Sequence, residues 1–242
     1  MIDLHSHILP ELDDGARSLG ESLAMARMAV DSGIRVMVAT PHCAEDRTRE
    51  VYLAWKYLRR ALQENEIPLR LFLGMEILGQ PDTAKLLQER KLFTINGSRY
   101  PLIEFPFQGD GKEETWILYS ICKAGYRPVV AHPERYVFVQ RNPELMNLWH
   151  RMGCLLQINR GSLLGRFGGQ IRELSWELVD RGFASAIASD SHSARMRTPR
   201  LDDVWRQASR DISTLCTRKL MVENPGKIIK NEDIPPVTPE WF

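Results

Sequence analysis

The feature that most constrains the fold is a joint that recurs four times, in which a helical stretch ends at a glycine and an apolar run follows. The glycines are Gly33, Gly125, Gly153 and Gly182, and the runs include Val-Met-Val, Pro-Val-Val, Leu-Leu-Gln-Ile and Ser-Ala-Ile. Glycine suits the end of a helix because, without a Cβ, it adopts the left-handed conformation easily. Repeated helix-to-strand joints of this kind indicate a chain built from βα units.

Short apolar runs rich in β-forming residues alternate with longer stretches of helical spacing. The predicted strands are residues 2–5, 35–40, 70–75, 101–105, 128–131, 154–158 and 184–189. The first helix has a capping box, Ser18-Leu-Gly-Glu21, and is predicted to end at Gly33. About seven βα units without a break in composition predict a single α/β barrel domain over residues 1–242. An open doubly wound sheet is the alternative, and the proline-rich residues from about 231 onward predict an extended C-terminal tail.

Composition excludes several classes of function. The chain has 32 basic and 31 acidic residues, so its formal net charge is +1 and no global field would recruit nucleic acid. It has neither a signal-peptide pattern at its start nor an apolar stretch of about 18 residues, so we expect no membrane insertion. Cys43, Cys122, Cys154 and Cys216 lack paired spacing, which is typical of free thiols and predicts a cytoplasmic protein. No pattern specifies an oligomeric state.

Side chains able to bind metal ions follow the predicted strands. Five of the six histidines lie at strand ends, interleaved with carboxylates. Because the carboxyl ends of barrel strands form one face, we expect these side chains to converge at one mouth. His5 and His7 are two residues apart on a strand and therefore face the same side, and Asp14 can reach the mouth from the following loop. The candidate ligands are His5, His7, Asp14, His42, Glu76, Glu104, His132, Asp190 and His192.

The chemistry of these candidates predicts the kind of ion. Imidazole and carboxylate, without a cysteine in the set, are typical ligands of borderline divalent ions such as manganese, iron or zinc. Converging carboxylates would repel one another without cations. Two divalent ions would neutralise the four carboxylates of the set, whereas three would leave an excess of positive charge that attracts a phosphate dianion. This charge balance favours three ions.

Arginines in the same loops indicate an anionic substrate. Arg135 lies three residues beyond His132, and Arg197 lies five residues beyond His192. A guanidinium fork matches the oxygens of a phosphate, and beside a metal centre it predicts phosphoryl recognition. Arg160 and Arg195 are weaker candidates by the same reasoning.

One string points to a different mechanism. Cys43 follows His42 and precedes Arg49 by five intervening residues, which is the His-Cys-x5-Arg string of cysteine-dependent phosphatases. Those enzymes cradle phosphate with successive backbone amides, usually in a glycine-containing loop, and surround the thiol with positive charge. Residues 44–48 contain no glycine and two acids, which would raise the thiol pKa and repel the substrate. We therefore interpret the string as a coincidence and His42 as the functional residue.

Residues 1–18, which read MIDLHSHILPELDDGARS, resemble the opening of bacterial PHP-family protein tyrosine phosphatases, metal-dependent enzymes of capsular and exopolysaccharide synthesis. The likeness continues through Thr40-Pro-His42, Gly74-Met-Glu76, Leu102-Ile-Glu104-Phe, Ala131-His132-Pro-Glu-Arg135, Ile187-Ala-Ser-Asp190-Ser-His192 and Glu223-Asn-Pro. The general histidine pattern is shared by several PHP enzymes. The Asp13-Asp14-Gly15 segment, the compact length and the Ile-Glu-Phe strand point to the tyrosine phosphatase branch.

The resemblance implies a distorted (βα)7 barrel of the PHP (polymerase and histidinol phosphatase) type with three divalent ions, commonly Mn²⁺. It makes all nine candidates metal ligands, and it makes Arg135 and Arg197 phosphate-binding catalytic residues. The expected reaction is hydrolysis of phosphotyrosine by a metal-bound hydroxide, on the tail of a bacterial tyrosine autokinase that controls polysaccharide synthesis and export. The nearest alternative is a small-molecule phosphatase of the same superfamily, such as a histidinol phosphatase. A phosphodiesterase or nuclease, and a non-catalytic metal-binding or kinase-binding regulator, are further hypotheses.

Overall fold

Short strands alternate with longer helices in the structure, a computed structural model that describes residues 1–42, 45–235 and 237–242. The strands are β1 (Ile2–Asp3), β2 (Val36–Ala39), β3 (Arg70–Leu73), β4 (Glu76–Leu78), β5 (Leu102–Glu104), β6 (Val129–Ala131), β7 (Leu155–Asn159) and β8 (Ala184–Ala188). Every predicted strand is confirmed, with ends that differ from the prediction by two residues or fewer.

The helices lie between these strands and after the last of them. They are α1 (Leu19–Asp31), α2 (Thr48–Glu64), α3 (Thr83–Gln88), α4 (Lys112–Lys123), α5 (Val137–Arg141), α6 (Leu145–Arg151), α7 (Arg160–Leu163), α8 (Gly169–Asp180), α9 (Asp202–Asp211), α10 (Thr214–Arg218) and α11 (Asn224–Ile229). In the part of the chain that the structure describes, no helix is both long and apolar enough to cross a membrane.

The strands pair in parallel and close into a ring. β1, β2 and β3 pair in that order, and β4 to β8 also pair in sequence order. β3 and β4 are two pieces of one interrupted strand, because the N–H of Glu76 donates to the carbonyl of Pro41 (3.2 Å) just beyond β2. At the other edge, Ser6 after β1 forms a bridge with Ser191 after β8. Over the described residues the ring therefore has seven strand positions, which confirms the predicted barrel over the open sheet.

Both faces of the strands are buried, as expected for a parallel barrel. Val129 of β6 lies in one apolar cluster and Val130 in the other, and Leu155 and Leu156 of β7 divide in the same way. The cluster of Val129 and Leu155 draws residues from strands all around the ring and includes Ile228 of α11, so it fills the barrel interior. The other cluster lies between the strands and the surrounding helices.

The glycine joints and the first helix cap follow the sequence pattern. Gly33, Gly125, Gly153 and Gly182 have φ angles of 92°, 88°, 91° and 82°, so all four are left-handed. At the start of α1, the side chain of Ser18 accepts a hydrogen bond from the N–H of Glu21 (3.2 Å). The Glu21 carboxylate accepts from the N–H of Arg17 (3.0 Å), one residue before the position expected for a capping box.

The residues after 230 have no helix or strand where they are described. Ile234 is buried in the interior cluster, and the C-terminal Phe242 exchanges hydrogen bonds with the side chain of Asn147. Arg181 donates to the carbonyl of Trp241 (2.8 Å). A single domain over residues 1–242 with an extended tail from about 231 stays a prediction.

Candidate metal centre

The structure brings the predicted ligands together beyond the carboxyl ends of the strands. Their ligand atoms form overlapping groups, and the atoms of each group lie within 4.8 Å of one another. Among the described residues the groups are His5, His7, Glu76 and Asp190; His7, Asp14, His42 and His192; and His42, Glu76 and Glu104. His132 joins them through Nε2, which lies 2.9 Å from Oε1 of Glu76. All nine side chains therefore share one centre.

Glu76 is the buried carboxylate at the middle of this centre. Its Oε2 lies 2.9 Å from Nε2 of His5 and 3.1 Å from Nε2 of His7. Burial alone would raise the pKa of Glu76, but the surrounding histidines, His5 first, hold it well below its usual range. Burial would lower the pKa of His7, yet its contacts with Asp13 and Glu76 raise it to about 10. The carboxylates thus create a negative potential that favours cations.

The arrangement of Asp190 fits a bound metal ion. Its Oδ1 is buried and, among the described residues, has no hydrogen-bond partner. This atom lies 3.5 Å from Nε2 of His5 and 3.6 Å from Nε2 of His7, which are too far for hydrogen bonds. A buried carboxylate oxygen without a partner costs free energy, and a cation held between these three residues would remove that cost. Imidazole and carboxylate donors suit manganese, iron or zinc.

Two of the candidate ligands occupy an uncommon backbone conformation. His132, directly after β6, has φ of 34°, and Asp190, two residues after β8, has φ of 50°. Left-handed φ values are uncommon for residues with a side chain and cost about 1–3 kcal/mol each. The surrounding contacts must supply that free energy, as is typical of functional sites.

Asp13 orients one of the ligands, a role that the sequence analysis missed. Its Oδ2 accepts hydrogen bonds from Nδ1 of His7 (2.7 Å) and from the N–H of His42 (2.9 Å). Because the carboxylate holds a proton on Nδ1 of His7, Nε2 is the nitrogen that faces the centre and would bind a metal ion. Gly15 allows the close approach of this loop, since a Cβ there would lie 2.2 Å from the carbonyl oxygen of His7. The two adjacent carboxylates of Asp13 and Asp14 are the sequence signal for this role, although the pattern predicts a ligand only at Asp14.

Two polar residues of β7 were also missed. Oε1 of Gln157 accepts from Nδ1 of His5 (2.8 Å), which leaves Nε2 of His5 to face the centre. The Gln157 amide donates to Oδ1 of Asn159 (3.0 Å), and the Asn159 amide donates to Oδ2 of Asp190 (2.6 Å). Gln157 and Asn159 are two apart and share a face of the strand, so polar residues at alternate positions were an available signal.

Asp13→Asn tests the orienting role. We expect the affinity for divalent metal to fall about 10–100-fold, because losing the carboxylate weakens the hold on the His7 ring. Competition with a chromogenic chelator measures that affinity. Asp110→Asn, in the exposed loop before α4, is the matched control and should keep the affinity of the unmodified protein. Equal affinities for the two variants would contradict the role.

Arg135 and Arg197 meet at the rim of the centre. Nη1 of Arg135 lies 3.3 Å from Oδ2 of Asp190, and Arg197 forms an ion pair with the same oxygen through Nη2. Burial would raise the pKa of Asp190, but His5 and Arg197 keep it below its usual range. Both guanidiniums therefore contact one carboxylate of a ligand group, and guanidinium forks match the oxygens of a phosphate.

The two weaker arginine candidates have different environments. Arg160 is buried in an ion pair with Asp203 and donates to the carbonyl of Thr198 (3.2 Å), so it fixes the loop that carries Arg197. The Arg195 side chain is exposed.

The centre is closed on one side and open on the other. The side chains of His5 and His7 are fully buried, whereas those of His42 and Asp14 are 39% and 64% exposed. Burial and the nearby His7 lower the pKa of His192 to about 3, so this imidazole is neutral at pH 7 and can offer a lone pair. A substrate can therefore approach from the side of His42 and Asp14.

The cysteine string is only partly visible in the structure. Cys43 lies outside the described residues, but His42 belongs to the centre, with Nδ1 2.8 Å from Oε1 of Glu104.

The chain matches a known protein family over nearly its whole length. The family described as "Capsular polysaccharide synthesis, CpsB/CapC" matches residues 1–230. The tyrosine-protein phosphatase YwqE of Bacillus subtilis is 34% identical over 238 residues, covering 97% of this chain and 93% of that protein. The tyrosine-protein phosphatase CpsB of Streptococcus pneumoniae is 30% identical over 241 residues, covering 96% and 99%.

A solved structure agrees with the sequence matches. It is described as "Crystal structures of YwqE from Bacillus subtilis and CpsB from Streptococcus pneumoniae, unique metal-dependent tyrosine phosphatases". It superposes on this chain with a TM-score of 0.94 at 34% identity, covering 100% of this chain and 99% of that one. The barrel and its whole set of connections are therefore similar in the two proteins.

Proposed function

This chain belongs to the CpsB/CapC family of capsular polysaccharide synthesis and is a metal-dependent tyrosine-protein phosphatase, and from that premise we propose that it hydrolyses phosphotyrosine at the centre described above. One observation carries the proposal. Two arginines, Arg135 and Arg197, meet on the carboxylate of Asp190, which is itself a member of a metal-ligand group. Phosphate recognition and metal binding thus share one carboxylate.

The nine predicted ligands would hold three divalent ions, for which Mn²⁺ is our first candidate. The three overlapping groups of ligand atoms in the described residues support this number. The donor set supports manganese and is also compatible with iron or zinc. When bound, such ions polarise phosphoryl oxygens and lower the pKa of water from 15.7 to about 7.

The protein's own side chains bind and orient the phosphate. Arg135 and Arg197 would contact its non-bridging oxygens, since each guanidinium fork matches two of them. Asp190 accepts from both arginines and so keeps their forks in place. Their fixed positive charge stabilises the charge that redistributes during phosphoryl transfer. The tyrosyl leaving group has a pKa of about 10, so it needs less protonation than an alkyl alkoxide would.

The substrate that fits this site is a phosphotyrosine on a flexible segment, and the tail of a bacterial tyrosine autokinase is our candidate. Membership of this chain in a family of capsular polysaccharide synthesis supports the kinase tail as the candidate. The exposed side of the centre, at His42 and Asp14, supports entry of an extended segment. We place the reaction in the cytoplasm, because Cys122, Cys154 and Cys216 are free thiols.

A comparison of substrates tests the function. We expect the manganese-loaded protein to hydrolyse a phosphotyrosine peptide with a higher kcat/KM than histidinol phosphate or a phosphodiester. A chelator should abolish that hydrolysis, and added manganese should restore it. A higher kcat/KM for either competing substrate would overturn the proposal in favour of a small-molecule phosphatase or a phosphodiesterase.

Cys43→Ser separates this mechanism from a thiol-dependent one. We expect turnover of the phosphotyrosine peptide to be unchanged, because no step needs a covalent phosphocysteine. Cys216→Ser, on α10 and outside the metal-ligand groups, is the matched control. Loss of turnover in the first variant alone would identify Cys43 as the nucleophile and contradict the proposal.

A further inference from the structure

A cavity of about 380 Å³ opens directly beside the phosphate-binding arginines. Asp190 and Arg197 form the end of the cavity that reaches the metal centre, and Phe167 and Met196 supply its apolar wall. Its volume lies within the range of about 300–1,000 Å³ that is typical of ligand pockets. The cavity therefore joins an apolar surface to the place where a phosphate would bind.

The ring of Phe167 is held in a fixed position next to Arg135. The guanidinium carbon of Arg135 lies 4.4 Å from the centroid of the Phe167 ring and 4.5 Å from that of Phe107. Cation–π attraction holds the arginine between the two rings. Phe167 also packs against Gly161, where a Cβ would lie 2.7 Å from the ring. The aromatic wall and the phosphate-binding arginine are thus one packed unit.

The opposite side of the centre offers a different environment. A cavity of about 570 Å³ there is lined by Glu76, Asp82 and Glu104, together with apolar residues such as Leu78. Glu76 and Glu104 are predicted metal ligands, so once ions are bound Asp82 is the carboxylate of this lining that would still repel a dianionic phosphate ester. In the first cavity, by contrast, the charged lining is mostly arginine, with Arg160 and Arg166 beside Arg197. For a substrate that enters at His42 and Asp14, the phosphate ester is therefore favoured on the arginine side of the centre.

We propose that the cavity between Phe167, Met196 and Arg197 binds the aromatic ring of the phosphotyrosine side chain, and this inference rests on the proposed function. The phosphate would lie at Arg135 and Arg197, and the phenyl ring would pack on Phe167 and Met196. Arg166 donates to the carbonyl of Met196 (2.8 Å) and so holds that wall in place. The site would thereby select aryl over alkyl phosphate esters by burying the ring.

Calorimetric binding to the manganese-loaded protein tests the cavity with two non-hydrolysable probes, methylphosphonate and phenylphosphonate. Because burying a phenyl ring is favourable, we expect phenylphosphonate to bind at least about tenfold more tightly. Met196→Ala and Phe167→Ala should both reduce the ratio of the two probe affinities towards one. Met196 is 78% exposed, so its truncation should leave the fold intact. Phe167→Ala also removes one of the two rings that hold Arg135. If that loss weakens phosphate binding, it should weaken both probes equally and leave the ratio of their affinities unaffected.

Leu78→Ala, on the wall of the acidic cavity, is the matched control and should leave the ratio unchanged. Equal affinities of the two probes, an unchanged ratio in both variants, or a ratio lowered only by Leu78→Ala would each overturn the cavity proposal. Those outcomes differ from failure of the proposed function, in which neither phosphonate binds and the phosphotyrosine peptide is not hydrolysed.

Discussion

Glu76→Gln is expected to remove metal from the centre and to lower kcat/KM for a phosphotyrosine peptide by about 1,000-fold or more. Glu76 belongs to two of the three ligand groups, and its oxygens lie within 3.1 Å of nitrogens of His5, His7 and His132. The amide keeps the size of the side chain but removes its charge and turns one oxygen into a hydrogen-bond donor. The remaining candidate ligands would then hold fewer ions.

Elemental analysis and steady-state kinetics measure the two effects of this substitution. Glu114→Gln on α4 makes a matched control, because Glu114 is also buried but lies outside the ligand groups. That variant should retain the metal content and activity of the unmodified protein. A Glu76→Gln protein with full metal content and normal turnover would show that the centre lies elsewhere.

Arg197→Ala should lower kcat/KM for the same peptide by about 100–1,000-fold, the usual effect of removing one preorganised charge at the site of phosphoryl transfer. Metal content should stay near normal, because Arg135 and Asn159 continue to hold Oδ2 of Asp190. Arg197→Lys should recover only part of the activity, since an ammonium group cannot reproduce the guanidinium fork.

Arg195→Ala provides the comparison within the same loop, because this arginine is exposed and two residues away. Its turnover should match that of the unmodified protein. If Arg195→Ala and Arg197→Ala reduced activity equally, the effect would come from general positive charge at the rim. If Arg197→Ala lost its metal, the arginine would act through Asp190 and would not need to contact phosphate.

Much of the fold was predictable because the governing signals are local. A glycine after a helix predicts a left-handed residue, and Gly33 and Gly182 show it with φ of 92° and 82°. Strand positions followed from short apolar runs, and parallel strands in a closed ring place their carboxyl ends together. That geometry carried His5 and Asp190, 185 positions apart in the sequence, to within 3.5 Å of each other.

The break between β3 and β4 was not predicted, since the sequence pattern predicts one strand over residues 70–75. The interruption allows one chain segment to pair first with β2 and then with β5, which local periodicity does not encode.

The sequence by itself determined which residue types stand at the strand ends, and therefore the barrel, the candidate ligands and the two arginines. Only the tertiary structure decided which side chains orient them. Gln157 reaches His5 across 152 positions, and Phe107 and Phe167 enclose Arg135 from separate loops. The physical reason is that periodicity fixes the face on which a side chain lies, whereas its neighbour across the ring depends on strand order and on how the loops pack.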